Sequence, residues 1–115
     1  MQRDIAYVLD ILLSAKDARQ FTEGMDYEAF LNDRKCQLAV VRCLEVIGEA
    51  TKRLSETFRE NHPLIHWSEM AGMRDVLIHA YDRVDLERVW TTLRDDLPTL
   101  IENLEGIVPP ETETK

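Results

Sequence analysis

Cys36, Val40, Cys43, Ile47, Ala50 and Leu54 recur with steps of four, three, four, three and four. That spacing sets all six on one stripe of a single long helix, which must bury the stripe against other helices. Val41, Leu44 and Phe58 widen it, predicting contact with two neighbours and a helical stretch that runs on until Pro63 ends it. Ile5, Val8, Leu9 and Leu12 repeat the pattern near the start of the chain, in a helix expected to fade near Gln20 ahead of a turn at Gly24. Residues 26–31 read as a short helical piece. A third helix spans Trp67–Tyr81, with Ser68 as its candidate N-cap. A fourth is capped by Asp85 and carries Leu86, Val89, Trp90, Leu93, Leu97, Leu100, Ile101 and Leu104. Pro98 lies inside this last stripe, so a kink or a restart is expected, with Asp95 or Asp96 at the boundary.

No segment alternates with the period of two that marks a strand. The expected fold is all-α, an up-down bundle of four main helices with a short extra one. A chain of 115 residues suits one domain, assigned to residues 1–108. Pro109-Pro110 terminates it and leaves 109–115 as a flexible acidic tail.

The run from Ile5 to Leu13 is amphipathic and interrupted by Asp10, and no basic segment leads into it, so it does not read as a signal peptide. No apolar segment approaches the roughly 20 residues that a bilayer requires. A cytoplasmic protein without membrane contact is expected. Cys36 and Cys43 stand two helical turns apart, about 10 Å, too far for a disulfide, and read as small buried residues in a reducing compartment. The net charge of −8 argues against general nucleic-acid binding. The acid is concentrated at the two ends of the chain, and residues 33–60 are close to neutral with Arg34, Lys35, Arg42, Lys52 and Arg53 among them. An anionic ligand would therefore be met by local cations.

Arg74 falls at the centre of the apolar stripe of the third helix, flanked by Ala80, Met73, Leu77, Met70 and Tyr81 on one side and Trp67, Ile78 and Ala71 on the other. An unpaired charge there is costly, so something must meet it. A structural partner is available in Glu45 or Glu49 of the second main helix; the alternative is an anionic ligand. Asp75 and His79 are four apart and hence neighbours, either an exposed ion pair or a carboxylate that orients an imidazole for proton transfer near neutral pH. Arg74 and His79 are roughly 140° apart on an ideal helix, able to flank a groove but not to touch. The H-x-x-x-H spacing of His62 and His66 would suit zinc on a helix, but Pro63 falls between them and no third ligand follows at a recognised interval. No metal and no cofactor is expected, and neither a glycine-rich phosphate loop nor a nucleophile elbow occurs.

Arg74, His79 after four intervening residues, and Tyr81 two further on together resemble the R-x4-H-x-Y motif of the HEPN superfamily. The chain is more specifically similar to HepT-like toxins, the ribonuclease half of HEPN/MNT toxin–antitoxin pairs. Trp67, Gly72-Met73, Val84-Asp85, Val89-Trp90, Leu97-Pro98 and Ile47-Gly48-Glu49-Ala50 extend the likeness over essentially the whole domain. The resemblance implies a HEPN-like two-fold dimer with its active groove at the interface. It implies a metal-independent endoribonuclease of a type VII-like pair, with Arg74 and His79 as the catalytic residues. It further implies an MNT-type nucleotidyltransferase antitoxin that silences the toxin by AMPylation of Tyr81. Asp75 departs from the Asn common after the motif Arg, and as a neighbouring negative charge it bears on RNA binding and on His79. The competing expectation is a catalytically silent helical dimer that binds a nucleotide or a partner.

Overall fold

The structure, a computed structural model, describes residues 2–72 and 85–108. Its elements are α1 (Gln2–Phe21), α2 (Tyr27–Leu31), α3 (Arg34–Arg53), α4 (Glu56–Glu60), α5 (described over 67–72), α6 (Leu86–Thr91) and α7 (Leu97–Glu105). Thr92–Asp96 form one widened turn that joins α6 to α7. The fold is all-α, and no strand occurs among the described residues.

Several helices start where a short side chain satisfies an orphan backbone N–H. Asp26, Asp33, Ser55 and Asp85 each accept from the amide three residues on, at Ala29 (2.8 Å), Cys36 (2.9 Å), Phe58 (3.1 Å) and Arg88 (3.1 Å). The cap expected at Asp85 is thus present. Gly24, at φ +79°, makes the turn expected after α1, a conformation in which a side chain would clash with its own backbone.

All six residues of the stripe in α3 are buried, joined by Leu44, Gly48 and Thr51. They pack chiefly on Val8, Ile11, Leu12, Ala15 and Ala18 of α1. Ala15 and Ala18 lack the bulk to hold the two backbones apart. The helices run antiparallel, since the start of α1 meets the end of α3 through Asp4 and Ser55, and the Cys36 thiol lies 3.6 Å from the Phe21 carbonyl. Beside that stripe, Gln37 Nε2 donates to the carbonyls of Phe30 and Leu31, both at 3.0 Å, fastening α2. The long helix therefore has the two neighbours its wide apolar face predicts.

Three expectations are corrected. The second main helix does not continue to Pro63: Leu54 turns extended (φ −66°, ψ 142°) and Ser55 caps a separate α4. At this break the buried Asp4 carboxylate, 51 residues away in the chain, accepts from Ser55 N–H and Ser55 Oγ–H, each at 2.8 Å. Ser68 is not the N-cap of the third helix, because residue 67 is already helical and Met70 N–H donates to the His66 carbonyl. In the stripe of α1 Val8 and Leu12 are buried as expected, Ile5 and Leu9 are only half-buried, and Ile11, Ala15 and Ala18 complete the buried face.

The disturbance expected at Pro98 takes the form of the widened turn. Leu97 N–H donates to the Thr92 carbonyl, five residues back rather than four. Pro98 has no N–H to offer, and loosening the preceding turn relieves the clash of its ring with the carbonyl four residues earlier. Asp96 stands at the boundary before α7, as expected, but makes no side-chain cap.

Candidate functional site

Residues 62–67 fix how α5 enters the fold. Trp67 Nε1 donates to the His62 carbonyl at 2.9 Å and Trp67 N–H to the Ile65 carbonyl at 2.9 Å. Phe58 covers both rings, its centroid 4.5 Å from His62 and 6.1 Å from Trp67, the latter edge-on. The indole is 7% exposed and the helix it begins is held against the core by Met70.

From that anchor α5 runs along one wall of a cavity of about 750 Å³. Its described floor is apolar, with Leu44 and Ile47 of α3, Met70 of α5, and Leu97 and Leu100 of α7. Its rim is polar, with His66, Glu69, Asp85, Arg88, Asp95 and Asp96. Gly72 and Asp85 also line it. Met73, the predicted site residues Arg74, Asp75, His79 and Tyr81, and Val84 lie outside the described residues.

Among the described lining residues, the rim carries the carboxylates Glu69, Asp85, Asp95 and Asp96 and one guanidinium, that of Arg88. The pKa of Asp96 is raised above the ordinary 3.8, first by burial, then by repulsion from Asp95 and Glu69, with His66 opposing the shift. His66 Nδ1 is 3.7 Å from Glu69 Oε1, an ion pair when the imidazole is protonated. This carboxylate group is invisible in the sequence because α5, the cap of α6 and the widened turn supply its members. Glu45 and Glu49, the alternative partners of a buried Arg74, pair on their own helix with Arg42 and Arg53, each at 3.5 Å.

His62 and His66 serve separate local contacts, and among the described residues no group of three or more His, Cys, Asp or Glu side chains converges as a metal site. Cys36 and Cys43 are free and buried. Burial pushes both thiols up, aided by the charges of Asp33 and Asp17 respectively. Among the described residues no helix is long and apolar enough to cross a membrane.

Fold and cavity together define a small helical-bundle protein with a cavity whose described rim is rich in carboxylates. The chain belongs to the Ribonuclease HepT-like family, whose profile it matches over residues 11–107. It is 46% identical over 108 residues to a Methanocaldococcus jannaschii protein named as a putative RNase, covering 93% of each chain. It is 47% identical over 94 residues to a Thermococcus cleftensis protein named as a probable ribonuclease HepT, covering 82% of this chain and 86% of the relative. A third relative, from Caldanaerobacter subterraneus subsp. tengcongensis and also named as a putative RNase, is 38% identical over 105 residues, 91% of this chain and 94% of its own. No solved structure is matched.

Proposed function

We propose that the chain is a metal-independent endoribonuclease toxin, cleaving RNA through Arg74 and His79 at a two-fold dimer interface in the cytoplasm. The observation that carries this reading is the R-x4-H-x-Y motif, Arg74 to Tyr81, in a member of the HepT-like ribonuclease family. Cleavage without a metal requires removal of the 2′-hydroxyl proton, stabilisation of a phosphorane more negative than the substrate, and a proton for the departing 5′-oxygen. Imidazole suits both proton steps near pH 7. A permanently charged, forked guanidinium suits the phosphorane. His79 is assigned as general base, the second subunit's copy of this histidine as acid, and Arg74 as phosphate clamp. Attack by the 2′-hydroxyl restricts the enzyme to RNA. Asp75 supports His79 as its neighbour one turn away.

In the same reading an MNT-type nucleotidyltransferase is the antitoxin. The Tyr81 hydroxyl attacks the α-phosphorus of ATP, AMP becomes attached to the phenol oxygen and pyrophosphate leaves. Purified protein should cleave RNA in EDTA and leave a cyclic phosphate, and His79→Ala should abolish this; undiminished cleavage by that variant refutes the assignment. Intact-mass measurement after co-expression with the antitoxin tests the regulation, which requires an AMP-sized addition absent from Tyr81→Phe.

One observation favours a second reading, a catalytically silent dimer that binds a nucleotide or partner. The described rim of the cavity carries four carboxylates against Arg88, a poor setting for a phosphate backbone. Expression of the chain alone separates the two, since a toxin arrests growth and a binding module does not.

A further inference from the structure

We propose that the groove between α2 and the α6–α7 turn is a nucleobase subsite with a preference for guanine. The inference rests on the ribonuclease reading, because it gives one base of the RNA strand a place to bind. Asp26, Tyr27, Trp90, Thr91, Arg94 and Asp95 line the groove, whose volume is about 500 Å³.

Its walls are aromatic. The Tyr27 and Trp90 ring centroids are 6.0 Å apart at 44°, and both side chains are half-buried, so each keeps accessible ring surface. The buried Phe30 ring, 5.3 Å from that of Trp90, holds the indole in position from behind. Arg94 Cζ lies 5.4 Å from the Trp90 centroid and adds a planar cation to the same wall. Unstacked bases bind on such aromatic and guanidinium planes.

The carboxylates select among bases. Two of them against one guanidinium make the groove unfavourable for a phosphate and favourable for a base edge that donates hydrogens. Asp26 Oδ1 is committed to capping α2, whereas Asp95 makes no hydrogen bond or ion pair among the described residues. Of the four RNA bases only guanine presents two adjacent N–H donors, N1–H and the N2 amine, to a two-oxygen acceptor. Adenine and cytosine set one amine beside an acceptor, and uracil sets one N–H between carbonyls.

The position fits a bound strand. Thr91 and Asp95 also line the larger cavity, so the groove continues from it over a shared rim. Arg94 and Asp95 sit on the widened turn, which Arg19 pins from α1.

The test is binding of the hexaribonucleotides UUGUUU, UUAUUU and UUUUUU to full-length His79→Ala protein, followed by tryptophan fluorescence. Trp67 is buried, so quenching reports on Trp90. The guanine oligomer is expected to bind about ten-fold more tightly than the other two, the lower part of the range for a bidentate base contact. Asp95→Asn, an exposed position, should bring the three to within about two-fold while the circular dichroism stays unchanged. Tyr27→Ala should weaken all three. Equal affinities, or a guanine preference that survives Asp95→Asn, overturn the subsite. Guanine-selective binding by a wild-type chain that never cleaves RNA supports the subsite and removes only the ribonuclease reading. Cleavage without guanine-selective binding removes only the subsite.

Discussion

Arg19 on α1 donates from Nη1 to the Leu93 carbonyl at 3.2 Å, a bond between residues 74 apart. In an uninterrupted helix that carbonyl would accept from Leu97 N–H. Here Leu97 donates to Thr92 instead, and the widened turn leaves the Leu93 oxygen for a partner from another helix. Pro98 thus costs the last helix its regular ladder, and a guanidinium from the first helix completes the bonding. The same turn places Asp95 and Asp96 on the cavity rim.

Arg19→Ala should therefore leave a partly buried carbonyl unpaired where water reaches it poorly. A hydrogen bond from a charged donor contributes about 1.5–3 kcal/mol, and half-exposure puts the expected loss at the lower end. The melting temperature should fall by about 4 °C per kcal/mol lost. Hydrogen exchange should accelerate first at the amides of residues 93–97. An unchanged melting temperature would mean that solvent replaces the guanidinium without cost.

The Asp4–Ser55 contact makes a pH prediction. Two donors from Ser55 hold the Asp4 carboxyl below its ordinary 3.8, the backbone N–H being the larger cause and outweighing burial. A folded-state pKa below the unfolded one adds stability that is complete above the unfolded value and disappears as pH falls through the folded one. Urea unfolding should thus show a loss that begins below about pH 5. Asp4→Asn should remove that part of the slope and cost about 1–3 kcal/mol at neutral pH. A variant with the parent's acid limb would refute the linkage.

What the sequence discloses here is whatever depends on neighbours along the chain. The step-four, step-three stripe of α3 identifies six buried residues because helix period alone decides which side chains face the core. Asp85 and Gly24 are legible as cap and turn for the same local reason. The break at Leu54 is not, since neither Pro nor Gly marks it and the carboxylate that holds Ser55 there comes from another helix. Pro98 announces a disturbance, but only the fold shows that Arg19 meets it. The family motif is legible as a string, whereas the acid rim and the Tyr27–Trp90 groove arise from segments that only tertiary packing brings together.

Cys36 and Cys43 should react slowly with iodoacetamide in the native protein at pH 8. Their thiols are buried and raised above the ordinary range, so little thiolate is present. Both should alkylate rapidly once guanidinium unfolds the chain, and oxidant alone should give no intramolecular disulfide by mass. Rapid native labelling of either would contradict its burial.

The proposed roles of Arg74 and His79 differ in how they respond to conservative change. A guanidinium that grips a phosphorane through two parallel N–H bonds is not replaced by an ammonium, because lysine keeps the charge and loses the fork. Arg74→Lys should accordingly remain near Arg74→Ala, with cleavage down by about 10²–10³. His79→Ala should lose about 10²–10⁴. If His79 is the base, the wild-type rate should rise with pH through the histidine range, and that limb should vanish in His79→Ala. Asp75→Asn isolates the remaining charge. In the proposed arrangement the Asp75 carboxylate favours the protonated form of the imidazole, so the substitution should move the rising limb to lower pH. Removing that negative charge should also lower KM for RNA, with a smaller change in kcat. Full cleavage by Arg74→Lys would assign that residue a purely electrostatic role in place of the clamp.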